Sequence, residues 1–239
     1  MPKPSGGRPI PVRAVRAVIG FGQEIFYGMI FQSRACGAVP VECWRPFLVV
    51  ANHASHLDGG LIKHAMGPAG HGLGFIAAKD YFFGSRLGRF VFSNFTNLIP
   101  MSRGRDFAES ARAAGTAFKA GRSVAIFPEG TRSTTGEISP FKPAAGFLTI
   151  KNEVDVLPVY ISGVFEALPK GALIPKGRDL AAHFGEPLVF SELKRRIGDL
   201  PDKEAYHAAT AVMEAEVRRL EAEHAKNCRA RQAGRPNSP

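Results

Sequence analysis

The sequence predicts an α/β fold: a single domain with a largely parallel sheet covered on both faces, preceded by an amphipathic N-terminal helix. Three observations predict it. Short, continuously apolar runs at Phe47–Ala51, Gly74–Ala78, Asn97–Pro100, Ser123–Phe127 and Val156–Ile161 alternate with stretches of helical composition. Unbroken apolarity of this length suits strands buried on both faces. The 239 residues fit one core, because single cores stop growing at about 250 to 300 residues. Finally, 45% hydrophobic and 22% charged residues make an ordinary packed domain, far from the composition of a disordered chain.

In chain order, residues 1–9 are rich in Pro and Gly and read as a loose tail. Over residues 10–34, Val12, Val15, Val18, Ile19, Ile25, Phe26, Met29 and Ile30 recur at helical spacing. That pattern fits a helix lying on a membrane surface and equally a helix packed on its own domain. The domain proper is expected over residues 35–228. Within it, Asp106–Ala120 is a helix candidate with Asp106 as its cap and Gly121 just past its end. A late strand is expected at Ala181–Gly185. Asp202 caps a helix to about Lys226, with Tyr206, Met213, Val217 and Leu220 on one stripe, and residues 229–239 read as a second tail.

The excess of 31 basic over 21 acidic residues gives a net charge of +10. A field of that sign attracts nucleic acid, anionic lipid or phosphorylated substrates alike. The charge is spread along the chain instead of gathered in one arm, so no nucleic acid is expected as a partner. Cys36, Cys43 and Cys228 lack zinc-like spacing, and an odd number suits a reducing compartment. No secretory signal pattern is present. Arg16, Glu24 and Arg34 interrupt the best candidate for a spanning helix, which needs about 18 uncharged apolar residues. Attachment to one membrane face, monotopic or peripheral and cytoplasmic, is the expectation.

Two polar clusters follow strand candidates, where open α/β sheets place their ligands. The first is Asn52-His53-Ala54-Ser55-His56-Leu57-Asp58. His53 and Asp58 are five apart, so they meet only if the chain turns between them. A His held by a carboxylate has a fixed tautomer and a stabilised imidazolium, which suits a general base acting on a hydroxyl. No Gly-x-Ser-x-Gly elbow supports a Ser-centred acyl-enzyme. Metal binding is a rival for His53, His56 and Asp58, but a fourth ligand and an established spacing are missing, so no metal is expected.

The second cluster is Phe127-Pro128-Glu129-Gly130-Thr131-Arg132-Ser133. Gly130 permits close backbone approach, Thr131 and Ser133 offer hydroxyls, and Arg132 can clamp a phosphate with two parallel hydrogen bonds. Pro, Gly, Thr and Ser are also turn formers. The strand before them and the Arg among them favour a phosphate cradle.

Taken together, Asn52-His53-x-Ser55-x-x-Asp58 and Phe127–Ser133 resemble the glycerolipid acyltransferase family that includes the 1-acylglycerol-3-phosphate acyltransferases. Ile99-Pro100-Met101-Ser102-Arg103 between them, and Val156-Leu157-Pro158-Val159-Tyr160 after them, fit two further motifs of that family. The resemblance covers roughly residues 40–190. It implies an acyl-CoA or acyl-carrier-protein donor with no other cofactor, membrane lipids as surroundings and a lysophospholipid acceptor. Carried over residue by residue, His53 is the base and Asp58 its orienting partner. Arg103, Glu129, Gly130, Thr131 and Arg132 fall to the acceptor site, and Pro158 supports the pocket. One departure touches the acceptor: Met101-Ser102 stands where an aromatic or aliphatic residue and an acidic one are expected before Arg103.

Tyr81, Phe82, Phe83, Phe90, Phe92 and Phe95 crowd beside Lys79, Arg86 and Arg89. The mix suits an acyl-chain groove near a membrane, and equally a packed core. Three other functions stay open at this stage: acylation of a different lysolipid or hydroxylated acceptor, noncatalytic lipid binding, and a nucleic-acid module motivated only by charge.

Overall fold

One seven-stranded sheet organises the chain in the computed structural model, which describes residues 10–37, 45–78, 98–101, 107–172, 174–177 and 179–233. Its strands are β1 (Arg34–Cys36), β2 (Phe47–Ala51), β3 (Gly74–Ala78), β4 (Leu98–Met101), β5 (Val124–Ile126), β6 (Asp155–Ser162) and β7 (Ala181–Phe184). They lie in the order β1-β7-β6-β2-β5-β3-β4. From β6 to β4 every neighbouring pair is parallel. β7 runs antiparallel to β6 and carries β1 parallel on its outer edge. The expected α/β fold with a largely parallel sheet is therefore the observed one, and each strand anticipated from an apolar run is present within a residue of its expected bounds. The exception to foresight is β1, three residues with no apolar pattern.

The helices are α1 (Ile10–Ile25), α2 (Asp58–Ala65), α3 (Phe107–Lys119), α4 (Ala144–Asn152), α5 (Val164–Ala167), α6 (Phe190–Ile197) and α7 (Asp202–Ala233). They cover both faces of the sheet, as β2 illustrates. Successive strand residues point to opposite faces. Phe47, Val49 and Ala51 join Leu61 and Ile62 of α2 and Val164 of α5 in one core layer. Leu48 and Val50 join Phe118 of α3, Leu148 of α4, Leu193 of α6 and Met213 of α7 in the other. Leu48, Val49 and Val50 are 0% exposed, and each such side chain contributes about 1.5 to 3 kcal/mol by leaving water. The centre of the sheet is thus the rigid part from which the site is hung.

At the N-terminus the helical segment is shorter than the residues 10–34 anticipated. α1 passes into a π-helical turn over Phe26–Ile30, and Arg34 already belongs to β1. That turn and the residues flanking it are tied to the domain at three points. Tyr27 is buried and its hydroxyl donates to the Leu57 carbonyl at 2.9 Å, Phe31 is 1% exposed in the core, and the Glu24 carboxylate meets His64 Nδ1 at 2.6 Å. Val18, Phe21 and Met29 stand 71%, 69% and 74% exposed. α1 is therefore anchored through its last turns while large apolar side chains face outward. No described helix is long and apolar enough to cross a membrane.

At the other end α7 runs on to Ala233, so the first residues of the expected C-terminal tail are helical. Cys36 is half-buried and Cys228 exposed, both as free thiols. Residues 1–9, Cys43, the aromatic segment from Tyr81 to Phe95 with Lys79, Arg86 and Arg89, Ser102, Arg103 and the Asp106 cap lie outside the described residues.

Candidate active site

Parallel pairing of β2 with β5 matches Val50 to Ile126. Three residues beyond that pair stand His53 on one chain and Glu129 on the other, so the two polar clusters emerge side by side at the carboxyl edge of the sheet. This is the position in which open α/β sheets collect their ligands. On the opposite flank β2 pairs with β6 through Ala51 and Val159. The ladder is then continued by a side chain: Asn52 Nδ2 donates to the Ile161 carbonyl at 3.0 Å, and Asn52 Oδ1 accepts from the Ile161 amide at 2.7 Å. A carboxamide sets an N–H donor beside a carbonyl acceptor and so substitutes for a peptide unit here. It fixes where β2 ends and the turn begins.

The turn required by the five-residue separation is present. Ser55, 0% exposed, donates its hydroxyl to the Leu168 carbonyl at 2.8 Å and accepts from the Leu57 amide at 3.3 Å. α2 then begins at Asp58. His53 Nδ1 lies 2.7 Å from Asp58 Oδ2, and the amides of Ala54 and Ser55 donate to the same oxygen at 2.8 and 3.0 Å. Asp58 is 0% exposed. A buried carboxylate gathering three donors at a helix start is both neutralised in part and held in place. With Nδ1–H donating to Asp58, Nε2 is the imidazole nitrogen left to take a proton. The His53 ring also lies flat on Phe127, centroids 4.2 Å apart and planes 12° apart, and Phe127 in turn stacks on Phe75. The His53 ring is accordingly fixed in plane and in position.

The second cluster forms an arch whose two feet rest on the backbone of His53. At one foot Glu129 Oε1 accepts from the His53 amide at 2.6 Å; at the other the Ser133 amide donates to the His53 carbonyl at 2.7 Å. Glu129 Oε2 accepts from the Ser139 amide at 2.9 Å, so both oxygens of this 3% exposed carboxylate are engaged by main chain. Burial pushes the Glu129 carboxyl pKa up, and the two amide donors oppose that. Between the feet, Gly130 turns with φ at +74°, a conformation that costs an L-residue with a side chain and costs glycine nothing. Gly130 and Thr131 are exposed and Arg132 is half-exposed. Arg132 sits near enough to His56 to help burial lower the pKa of that imidazole.

Of the site residues anticipated from sequence, the structure brings together His53, Asp58, Glu129, Gly130, Thr131 and Arg132. Pro158 stands in mid-β6, opposite Val50, with its ring facing Gly185; a β-carbon there would lie 3.2 Å from Pro158 Cγ. Its place is in the sheet. Among the described residues no group of three or more His, Cys, Asp or Glu converges to hold a metal ion. Sequence reasoning assigned no role to Asn52, Ser55 or Tyr27, although the first two lie inside the quoted motif. Each acts through a bond to main chain distant in sequence, which a linear pattern does not display.

Comparisons with known proteins by family profile, by sequence and by structure agree. The sequence profile of the acyltransferase family matches residues 37–162, just over half of the chain. A chloroplastic 1-acyl-sn-glycerol-3-phosphate acyltransferase of Brassica napus is 30% identical over 53% of this chain and 36% of its own length. A 1-acyl-sn-glycerol-3-phosphate acyltransferase of Saccharomyces cerevisiae is 27% identical over 66% and 53% respectively. The chain thus spans about a third to a half of these relatives' lengths. The crystal structure of a 1-acyl-sn-glycerophosphate acyltransferase from Thermotoga maritima superposes with a TM-score of 0.64 at 25% identity, covering 88% of this chain and 83% of that one. With the sheet, the two strand-end clusters and the matched profile all coinciding on the same residues, the chain belongs to the acyltransferase family.

Proposed function

We infer that the protein transfers a fatty acyl group from a thioester donor, acyl-CoA or acyl-carrier protein, to the free hydroxyl of a 1-acylglycerol-3-phosphate-type acceptor. The observation that carries this reading is the His53–Asp58 pair at the carboxyl edge of the sheet with the Glu129–Ser133 arch bound to the same histidine's backbone. His53 Nε2 takes the proton from the acceptor hydroxyl as its oxygen attacks the thioester carbonyl. The buried Asp58 carboxylate stabilises the imidazolium that forms. Collapse of the tetrahedral adduct breaks the carbon–sulfur bond, and the departing thiolate receives the proton from His53. The products are an ester and a free thiol, and no acyl-enzyme is needed.

Arg132, half-exposed on the arch, suits the acceptor phosphate, and Arg103 is assigned to it by resemblance. The outward apolar side chains of α1 suit reversible docking on a membrane, on its cytoplasmic face, where both amphiphilic substrates reside. Acylation of another lysolipid is the second reading, favoured by Met101-Ser102 where the family pattern has a different pair.

Purified protein incubated with mixed acyl donors and a lysolipid panel, with products read by mass spectrometry, tests both readings. His53→Ala and Asp58→Asn should each remove most transfer, and the double variant should lose little more, because the residues act as one unit. General-base assistance is worth about 100- to 10,000-fold. A His53→Ala protein within a few-fold of the parent refutes the mechanism.

A further inference from the structure

Lys142 lies ten residues beyond Arg132 in sequence yet returns to the arch. Its amide donates to the Pro128 carbonyl at 3.0 Å, beside the first foot. Its side chain then folds back over the turn: a β-carbon added at Gly130 would lie 2.8 Å from Lys142 Nζ and 3.5 Å from its Cδ and Cε. The absence of a side chain at Gly130 is what leaves room for the ammonium. The segment leading into Lys142 is tethered from behind by α7, with the Phe141 amide donating to Glu214 at 2.9 Å and Arg218 donating to the Ile138 carbonyl at 3.0 Å. Glu214 and Arg218 are themselves paired. The lysine backbone is consequently held from both sides.

Two cationic residues therefore serve one short turn: the Lys142 ammonium lies over Gly130, and Arg132, half-exposed, follows Gly130 by two residues. Among the described residues neither is paired with a carboxylate. The nearby carboxylate, Glu129, has both oxygens committed to backbone amides. Like charges brought together without a counter-ion repel one another, and an anion between them removes that cost. A phosphomonoester carries about −1.5 to −2 charges near neutral pH, whereas a phosphodiester carries one. The difference in charge matches one cation against two.

We propose that Lys142 is a second cation of the acceptor site, bracketing the phosphate together with Arg132 and selecting a phosphomonoester lysolipid over one whose phosphate bears a head group. This rests on the acyltransferase reading and deepens it. Arg132 supplies a planar fork and Lys142 a compact point charge, so the pair provides geometry from one side and charge from the other.

The test uses the full chain as wild type, Lys142→Gln, Lys142→Met and Lys142→Arg. Transfer kinetics are measured with 1-oleoylglycerol-3-phosphate and with its phosphoethanolamine counterpart, and calorimetry measures binding of glycerol 3-phosphate without any donor. The neutral variants should raise KM for the monoester about tenfold, the scale of one lost charge-assisted hydrogen bond. Diester KM, donor KM and kcat should stay within a few-fold, and Lys142→Arg should recover most of the monoester preference. Equal weakening for both acceptors, a rise confined to the donor KM, or unchanged glycerol 3-phosphate binding each overturns the proposal; the donor result would move the lysine to a coenzyme A phosphate. If wild type transfers acyl groups to neither acceptor while glycerol 3-phosphate binding still depends on Lys142, the anion site stands and the activity reading fails.

Discussion

Replacing Glu129 by Gln separates two roles for that residue, touching the acceptor or holding the base. In the structure its oxygens accept from the His53 and Ser139 amides at 2.6 and 2.9 Å, and the side chain is buried. Gln keeps the shape, but only one of its two terminal atoms accepts. One amide retains a weaker bond and the other faces a donor. The loss of a bond to a charged group is worth about 1.5 to 3 kcal/mol, and a buried donor left unpaired costs about 1 to 3 kcal/mol. Relief of the carboxylate's own burial, visible in its raised pKa, offsets part of this and leaves a net destabilisation of about 3 kcal/mol. For a chain of this size that lowers the melting temperature by about 6 to 12 °C. Because one of the affected amides belongs to His53, kcat should fall as well, since a displacement of about 1 Å at a reacting group can cost about a hundredfold. Thermal unfolding by circular dichroism and steady-state kinetics varied in both substrates provide the measurement. Unchanged melting together with a selective rise in acceptor KM would show that Glu129 meets the acceptor, and the buttress account would be wrong.

Two other perturbations follow from the same geometry. Val18→Ser, Phe21→Ser and Met29→Ser together remove exposed apolar surface from the N-terminal helical segment, which contributes about 25 cal/mol per Å² when buried. Liposome co-sedimentation and turnover of bilayer-presented substrate should drop while activity on a short-chain soluble acceptor persists; undiminished liposome binding would place the membrane contact elsewhere. His183, hydrogen-bonded to Ser162 at 3.0 Å and beside the His224 ring, is pushed down to about 4, first by burial and then by His224 and Arg34. A depressed histidine favours the neutral form in the fold, so its contribution is complete above the ordinary value near 6.5 and is lost as pH falls from there toward 4. Partial exposure screens the effect to about 1 to 2 kcal/mol. Melting temperature should decline over that window in the wild type and less steeply in His183→Gln, and parallel slopes in the two proteins would refute the assignment.

What the sequence disclosed divides along a physical line. The His53–Asp58 pair was legible because the strand before it can be placed from local composition and five residues allow the chain to turn and bring a histidine onto a carboxylate. The parallel sheet was legible because β2 and β5 are apolar on every residue and β6 carries an apolar run between Asp155 and Ser162. α2 was not, since it opens Asp58-Gly59-Gly60, which reads as a turn. Both glycines are there for space: a β-carbon at Gly59 would press on the Phe75 ring at 3.3 Å, and one at Gly60 would collide with Tyr27. Gly146 likewise disguises α4, where it admits the Tyr206 carbonyl of α7 and donates to Thr210 at 2.9 Å. In each case a residue that weakens the helix locally allows a close approach that the whole fold requires.

The same division separates the acceptor role that the resemblance implies for Glu129 from the main-chain bonds it makes in the structure. Its acceptor role is implied by the family resemblance alone, and the chemistry of the cluster assigns it none. Its partners are 76 and 10 residues away and are main-chain amides, which have no signature in sequence. Asn52 is an equivalent case, spending its amide on Ile161, 109 residues on. The motif residues therefore divide into two tasks. Among the described residues His53 Nε2 and the Arg132 guanidinium make no hydrogen bond, whereas Asn52, Ser55, Glu129 and Ser133, with Asp58 through its Oδ2 alone, hold the backbone and ring of His53 and the arch. A general base, the role proposed for His53, works only if its reacting nitrogen is already in place when the hydroxyl arrives, and these bonds supply that placement.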